Sequence, residues 1–171
     1  GTRVRRIWSD SKVSSFPKDS ALPHDGMKPF KRSTSVCGDA LDVLSRLPNA
    51  IFDHCIVDPP YNMSRKKGLA WAFSKHVTMQ ESWDQFTQDD YFKFCHQWLS
   101  EICRVVKPNG NLFVFGTYHN IYSTGFLLKC LDRRVLNSIV WFKPNAQPNI
   151  TCRMLTESSE QIIWAVNNSE R

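Results

Sequence analysis

The chain has 171 residues, 42% of them hydrophobic and 22% charged, which is typical of one globular domain rather than a disordered protein. Its net charge of +6 suits a polyanionic partner, but basic charge alone does not identify a nucleic-acid-binding protein. No run of about 18 apolar residues occurs, so the sequence predicts no membrane-spanning helix and no membrane partner.

The cysteines do not indicate a metal site. Six are present, and no two have the spacing of a Cys-x-x-Cys pair, so we predict no zinc ribbon and no metal cofactor. Most of them lie in apolar runs such as 54–57, which favours small buried side chains in a reducing compartment.

Residues 1–33 differ in composition from the rest of the chain. They are rich in Ser, Lys, Arg and Pro without a sustained period, which predicts a basic, flexible N-terminal arm. A solvated tail is the favoured interpretation, and an arm that contacts phosphate groups is the alternative. Because the start has neither an apolar signal segment nor an initiator Met, we expect the chain to have been processed, tagged or cut from a longer protein.

The remaining residues alternate between strand and helix patterns. We predict a short strand over 35–37, a helix over 40–47 with three leucines on one face, and a buried strand over 53–57. The last of these runs directly into Asp58. A loop of about 25 residues, over 62–86, follows, and loops of that length are usually functional or mobile.

The clearest helix begins at Thr87, where Thr87 and Asp90 have the spacing of a capping box. Apolar residues recur at helical spacing as far as Val106, and the turn residues 108–110 are predicted to end the helix.

Four further elements complete the prediction: a buried strand over 112–115, a weaker helix over 121–131, and strands over 135–142 and 161–166 that form a hairpin. This alternation predicts an α/β fold with a mainly parallel sheet and a C-terminal antiparallel hairpin. Such sheets bind ligands beyond the carboxyl ends of their strands, and Asp58 lies at one of those ends.

The tetrapeptide Asp58-Pro59-Pro60-Tyr61 has the strongest chemical signal. Two prolines remove two backbone N–H groups, so the segment offers carbonyl acceptors between a carboxylate and an aromatic ring. An exocyclic amino group could donate its two N–H groups to Asp58 and a proline carbonyl, which would direct its lone pair towards an electrophile. A base stacked on Tyr61 would have to leave its duplex. The alternative is that the prolines only end a strand.

Several motifs in order resemble the β-class amino-methyltransferases of bacterial DNA, in which the catalytic motif precedes the cofactor motif. The similarity covers residues 35–167 and is greatest to the cell-cycle-regulated adenine methyltransferases that act at GANTC. The motifs are Gly38-Asp39-Ala40, Val57 to Asn62, Trp83-Asp84, Phe115 to Ile121, Leu136 to Trp141, Pro148-Asn149 and Glu160 to Ala165.

The resemblance implies a Rossmann-like fold, with 34–171 as the catalytic part of an enzyme that uses S-adenosylmethionine to form N6-methyladenine in DNA. It implies that Asp58 and the Pro59 carbonyl hold the target amine, and that Tyr61 stacks on the flipped base. It further implies a bacterial, cytoplasmic, nucleoid-associated protein and a homodimer.

The resemblance also implies contacts to cofactor and substrate outside the tetrapeptide. Asp39 and Ala40 would meet the adenine of the cofactor, and Asp58 would contact the cofactor as well as the target amine. Asp39 could also be the N-cap of the following helix. Substrate contacts are predicted for Asn62, for Trp141 and Phe142 as a wall of the base pocket, and for Arg65, Lys66 and Lys67 on phosphates. The alternatives are core packing for Trp141 and a solvated face for the three basic residues.

The segment 118–120 contains a histidine that could act as an acid/base group, but methyl transfer from a sulfonium needs no histidine. We interpret it as a helix cap or a DNA contact.

The chain departs from this family in lacking a glycine-rich cofactor loop of the form Phe-x-Gly-x-Gly. We therefore expect an incomplete domain, whose cofactor site is completed by another segment or a partner chain. Other hypotheses are methylation of the exocyclic amine of cytosine, for which the family more often has Ser at position 58, an RNA substrate, and a catalytically silent DNA-binding or scaffold subunit.

Overall fold

The computed structural model describes residues 35–63, 85–146, 148 and 155–168. The predicted arm over 1–33 and the basic residues Arg65, Lys66 and Lys67 lie outside these ranges. Within them the chain forms three helices and four strands: α1 (Ala40–Ser45), β1 (Phe52–Val57), α2 (Gln88–Val105), β2 (Val106–Gly116), α3 (Ile121–Cys130), β3 (Arg134–Phe142) and β4 (Ser159–Val166).

The four strands form one mixed sheet in the order β1-β2-β4-β3. β1 and β2 are parallel, whereas β4 is antiparallel to both β2 and β3. The predicted hairpin of β3 and β4 is confirmed. The prediction of a mainly parallel sheet is wrong for the described strands, because β4 returns between β2 and β3 and makes two of the three pairs antiparallel. As a result β1, β2 and β3 end, and β4 begins, at one end of the sheet, hereafter its carboxyl end.

The strand predicted over 35–37 is absent from the structure, where these residues have no regular secondary structure and are exposed. Three residues can form too few ladder hydrogen bonds to stay extended, and no described strand runs beside them.

Helix α2 provides most of the hydrophobic core. Its buried side chains recur at helical spacing and form one hydrophobic cluster with side chains of β2, β4 and α3. Each large side chain removed from water contributes about 1.5–3 kcal/mol. The core consists of Tyr91, Cys95, Trp98, Leu99, Ile102, Cys103 and Val105 of α2, with Val106, Leu112, Val114, Ile121, Leu127, Leu128, Ile163 and Ala165.

The N-terminus of α2 is capped as the sequence predicts. The Thr87 hydroxyl accepts a hydrogen bond from the Asp90 N–H at 3.1 Å and donates to the Asp90 carboxylate at 2.7 Å. None of the helices in the described ranges is long and apolar enough to cross a membrane.

The cysteines are only partly as predicted. Cys95 and Cys103 are buried in the core, whereas Cys37 and Cys130 are exposed. Burial raises the pKa of the half-buried Cys55 thiol to about 11, so this thiol is protonated at neutral pH.

The junction of α2 and β2 differs from the prediction. No turn separates them, because β2 begins at Val106 and includes Pro108, Asn109 and Gly110. Gly110 lets β1 approach closely, since a Cβ there would lie 2.5 Å from the Asp53 carbonyl oxygen. The register of β1 against β2 shifts between Phe52 and His54, and this irregularity accommodates the proline.

The Arg104 side chain of α2 forms hydrogen bonds to the end of helix α1. Its guanidinium donates to the carbonyl oxygens of Leu44 and Leu47, both at 2.7 Å, and pairs with Glu101 at 2.6 Å. These carbonyls lie at the C-terminal end of α1 and just after it, and the Leu44 carbonyl also accepts from the Leu47 N–H at 2.9 Å. The leucines at 41, 44 and 47 pack against the core as the sequence predicts.

We expect Arg104→Met to lower the free energy of unfolding by about 2–3 kcal/mol, because it leaves the carbonyls at the end of α1 without their charged donor. Urea denaturation measures this change. The matched control is Arg46→Met, at an exposed arginine beside the same helix end, with an expected change of about 0.5 kcal/mol or less. Equal effects of the two substitutions would contradict this role for Arg104.

Candidate active site

The segment Asp58 to Asn62 leaves the carboxyl end of the sheet, directly after β1. Asp58 is exposed, Pro59 is buried, and Pro60 and Tyr61 are half-buried. Neither proline has an N–H group, so this stretch of backbone can only accept hydrogen bonds. The structure thus places the tetrapeptide at the end of a strand of an α/β sheet, where the sequence predicts it.

Asp58 and Tyr61 contact each other through their polar atoms. The Tyr61 hydroxyl donates to Oδ1 of the Asp58 carboxylate. Burial raises the pKa of Tyr61 well above its usual range, and the hydrogen bond to Asp58 and the negative charges of Asp58 and Glu160 act in the same direction. Tyr61 is therefore an uncharged hydrogen-bond donor at neutral pH.

The two proline carbonyls differ in their contacts. The Pro60 carbonyl accepts a hydrogen bond from the Tyr91 hydroxyl of α2 at 2.8 Å. The Pro59 carbonyl accepts none from the residues that the structure describes. Pro59 therefore retains acceptor capacity next to the Asp58 carboxylate.

Asn62 connects this segment to the start of α2. Its Oδ1 atom accepts a hydrogen bond from the Phe86 N–H at 2.9 Å. Its backbone is left-handed, with φ of 56°, a conformation that Asn tolerates better than most residues. The predicted substrate residue therefore has a structural contact that the sequence did not indicate.

Trp141 and Phe142 lie at the carboxyl end of β3 and are 49% and 64% exposed. The alternative of core packing for Trp141 is therefore wrong. The Trp141 ring meets the Phe115 ring edge-on, with 6.1 Å between their centroids. Phe142 points to the opposite face of the sheet because neighbouring strand residues alternate. Trp141, but not Phe142, therefore shares a face with Phe115.

Lys143 and Glu160 form an ion pair across the hairpin that sequence reasoning missed. Lys143 Nζ also lies 4.8 Å from the centroid of the Trp141 ring. Glu160 is opposite Trp141 in the strand register and raises the pKa of Tyr61. The hairpin prediction brought these segments together, but their register was not readable from the sequence.

Asp39 is the N-cap of α1. Its Oδ1 atom accepts hydrogen bonds from the Leu41 and Asp42 N–H groups at 2.9 and 3.1 Å. The alternative role considered for Asp39 is thus confirmed, while its cofactor role stays a prediction. Ala40 is the exposed first residue of the helix.

The turn after β2 positions two exposed rings at the carboxyl end of the sheet. Asn120 is buried, and its side chain accepts from the Thr117 N–H at 2.9 Å rather than capping α3. Gly116 makes room for that side chain, since a Cβ there would lie 2.8 Å from Asn120 Oδ1. Tyr118 and His119 are exposed, with ring centroids 4.0 Å apart. The cap interpretation is therefore wrong for the Asn120 side chain.

In the described part of the chain, no three His, Cys, Asp or Glu side chains lie close enough to hold a metal ion.

Comparison with known proteins identifies the family. A family model described as DNA methylase matches residues 52–171. The chain is 36% identical over 135 residues to the Type II methyltransferase M2.MboI of Moraxella bovis, covering 78% of this chain and 49% of that protein. It spans about half the length of the curated relatives that it matches.

Two solved structures share the fold. One is the cytosine-N4-specific PvuII DNA methyltransferase, with a TM-score of 0.56 and 15% identity over 77% of this chain and 48% of that chain. The other is M1.HpyAVI in complex with SAM, with a TM-score of 0.50 and 19% identity over 78% of this chain and 55% of that chain. With a family model matched over residues 52–171, the chain belongs to the DNA methylase family.

Proposed function

We propose that this protein is a site-specific DNA methyltransferase that transfers a methyl group from S-adenosylmethionine to the N6 amine of adenine. The observation that carries the proposal is the Asp58 carboxylate, held by the Tyr61 hydroxyl beside a backbone segment without N–H donors. A carboxylate beside backbone that can only accept hydrogen bonds suits a group that presents two N–H donors.

The proposed chemistry uses the carboxylate and one carbonyl. The target amine donates one N–H to Asp58 and the other to the Pro59 carbonyl, so its lone pair points away from both. S-adenosylmethionine, when bound, would supply an electrophilic methyl group: its S–C bond would break as the N–C bond forms, S-adenosylhomocysteine would leave, and the amine nitrogen would release one proton. Because positive charge develops on the amine nitrogen during transfer, the Asp58 carboxylate also stabilises the transition state.

A base inside a duplex cannot reach such a site, so we propose that the target base is flipped out. Tyr61 would stack on it, and the exposed Trp141 ring would form a second wall. Phe142 and Asn62 remain proposed substrate contacts, and phosphate contacts are proposed for Arg65, Lys66 and Lys67.

Adenine is proposed as the target because the carboxylate at position 58 matches the adenine-specific members of the family that the sequence resembles. The exocyclic amine of cytosine presents the same two N–H groups and is the alternative, as is an adenine in RNA. Three further proposals rest on the resemblance alone. They are recognition of GANTC, action on nucleoid DNA in the bacterial cytoplasm, and a homodimer.

S-adenosylmethionine is proposed as the methyl donor, and M1.HpyAVI, which shares the fold, has been solved with SAM bound. The site suits a flat, uncharged base and its amine, since Asp58 and Tyr61 offer an acceptor beside a neutral ring. Asp39 and Ala40 are proposed to contact the cofactor, and the cap bonds already fix the Asp39 carboxylate in place.

We also propose that a further segment or a second chain completes the cofactor site. Within the described residues β1 pairs only with β2, so its outer edge is open. Ile56 on β1 is 74% exposed, which is unusual for an apolar residue in the middle of a strand. A neighbouring strand would form hydrogen bonds with the backbone groups along that edge.

The test is methylation of unmethylated DNA with labelled S-adenosylmethionine, by the chain alone and by a longer form or partner complex. We expect label in N6-methyladenine and, for Asp58→Ala, a fall in kcat of at least about a hundredfold. For Asp58→Asn, kcat should lie between the values of the unsubstituted protein and of Asp58→Ala, because Asn keeps one acceptor oxygen.

The matched control is Asp132→Asn, at an exposed residue that precedes β3 and so lies away from the carboxyl end of the sheet. It makes the same charge change, and Asn suits the left-handed backbone at that position. Label in methylcytosine or in RNA would overturn the substrate proposal. Absence of label in every form, with DNA binding retained, would favour a silent subunit.

We expect the substitution Asp39→Asn to distinguish the role of Asp39 as a helix cap from its proposed contact with the cofactor. Asn caps helices as well as Asp does, so the melting temperature should change little. The affinity for S-adenosylmethionine should fall about tenfold, because the amide presents a donor to the cofactor's amino group. Calorimetric titration measures the affinity. An unchanged affinity in Asp39→Asn would restrict Asp39 to its capping role.

A further inference from the structure

We propose that Tyr91 is a positioning residue that, together with the Asn62–Phe86 hydrogen bond, fixes Tyr61 and leaves the Pro59 carbonyl as the acceptor for the target amine. This inference rests on the proposed function and concerns the same site. Tyr91 lies in α2, about thirty residues from the tetrapeptide in sequence, so it was not among the predicted site residues.

The first observation is the contact of Tyr91 with the backbone. Its hydroxyl donates to the Pro60 carbonyl oxygen at 2.8 Å, while the residue as a whole is only 5% exposed. Because Pro60 and Pro59 have no N–H groups, ordinary backbone ladder bonds cannot hold this stretch. A side-chain donor from another element is one of the few ways to fix it.

The second observation is that the Tyr91 ring is itself fixed. It packs against Phe86 at 5.8 Å and Phe94 at 6.5 Å between centroids, and those two rings stack on each other at 5.0 Å. A ring held in such a cluster has few rotamers, so its hydroxyl is presented in one place.

The third observation is a second anchor on the other side of Tyr61. Asn62 Oδ1 accepts from the N–H of Phe86, a member of the same aromatic cluster. Tyr61 thus lies between two residues, Pro60 and Asn62, that are each hydrogen-bonded to the N-terminal region of α2. These two hydrogen bonds therefore restrain the backbone on both sides of Tyr61 and so fix the position of its ring.

The consequence concerns which carbonyl can receive the amine. With the Pro60 carbonyl occupied by Tyr91, the Pro59 carbonyl is the proline acceptor left beside Asp58 among the described contacts. Methyl transfer depends steeply on the position of the amine, because a misplacement of about 1 Å costs about a hundredfold in rate. Removal of the Tyr91 hydroxyl should therefore act on the chemical step more than on DNA binding.

The experiment is Tyr91→Phe in the full chain, in the form that methylates DNA. We expect kcat to fall about tenfold, with little change in KM for DNA. In the same variant, amide hydrogen exchange of Phe86, whose N–H donates to Asn62, should become about tenfold faster. Asn62→Gly, which keeps the left-handed backbone but removes the second anchor, should accelerate the same exchange, and Asn62→Asp should restore much of the protection.

Two controls separate positioning from stability. Ile102→Val weakens the core of α2 away from the aromatic cluster without removing a hydrogen bond, so it should lower the melting temperature with a much smaller effect on kcat. Tyr122→Phe removes a hydroxyl that is 72% exposed on α3 and should change neither quantity. If Tyr91→Phe leaves both kcat and the exchange rates unchanged, or if Ile102→Val reproduces its effect on kcat at matched stability, the proposal fails.

The exchange measurement does not depend on enzymatic activity. If the unsubstituted protein methylates nothing, the proposed function fails, while exchange in Tyr91→Phe still decides whether the hydroxyl holds the segment. Faster exchange supports the anchor, and unchanged exchange overturns it.

Discussion

The absence of N–H groups on Pro59 and Pro60 is the constraint on which the site depends. It makes the backbone after β1 a pure acceptor, which suits an amine, but it also removes the bonds that would hold that backbone in place. The structure compensates with side chains. Tyr91 donates to Pro60, and Asn62 accepts from Phe86. The N-terminal end of α2 is therefore as much a part of the site as the strand that ends at Asp58.

The sequence predicted most of the local elements well, because helical and strand periodicity depend on residues that are close together in the sequence. The helix after Thr87, the strand before Asp58 and the hairpin of β3 and β4 all form. The order and direction of the strands could not be read in the same way, since pairing of β4 with β2 joins residues about fifty positions apart. The contacts of Tyr91, Lys143 and Glu160 were missed for the same reason: each requires the three-dimensional register.

The two faces of the sheet are unequal. One carries Leu112, Val114, Ile163 and Ala165, which are buried beneath α2 and α3. The other carries the stacked rings of Phe113 and Trp164, with centroids 5.8 Å apart, and both residues are only half-buried. Together with the open edge of β1, this half-buried aromatic face is what a domain would show if part of its second layer came from other residues.

The charges around Tyr61 fit the same function. Burial raises the pKa of Tyr61, and Asp58 and Glu160 raise it further, so the ring stays uncharged and suited to stacking on a neutral base. Two carboxylates near one site would repel each other, but Lys143 pairs with Glu160 and offsets its charge. The same ammonium lies over the Trp141 ring, which restrains an otherwise exposed aromatic side chain. Among the described residues, this lysine thus pairs with Glu160 and not with Asp58, and it contacts the second ring of the proposed base pocket.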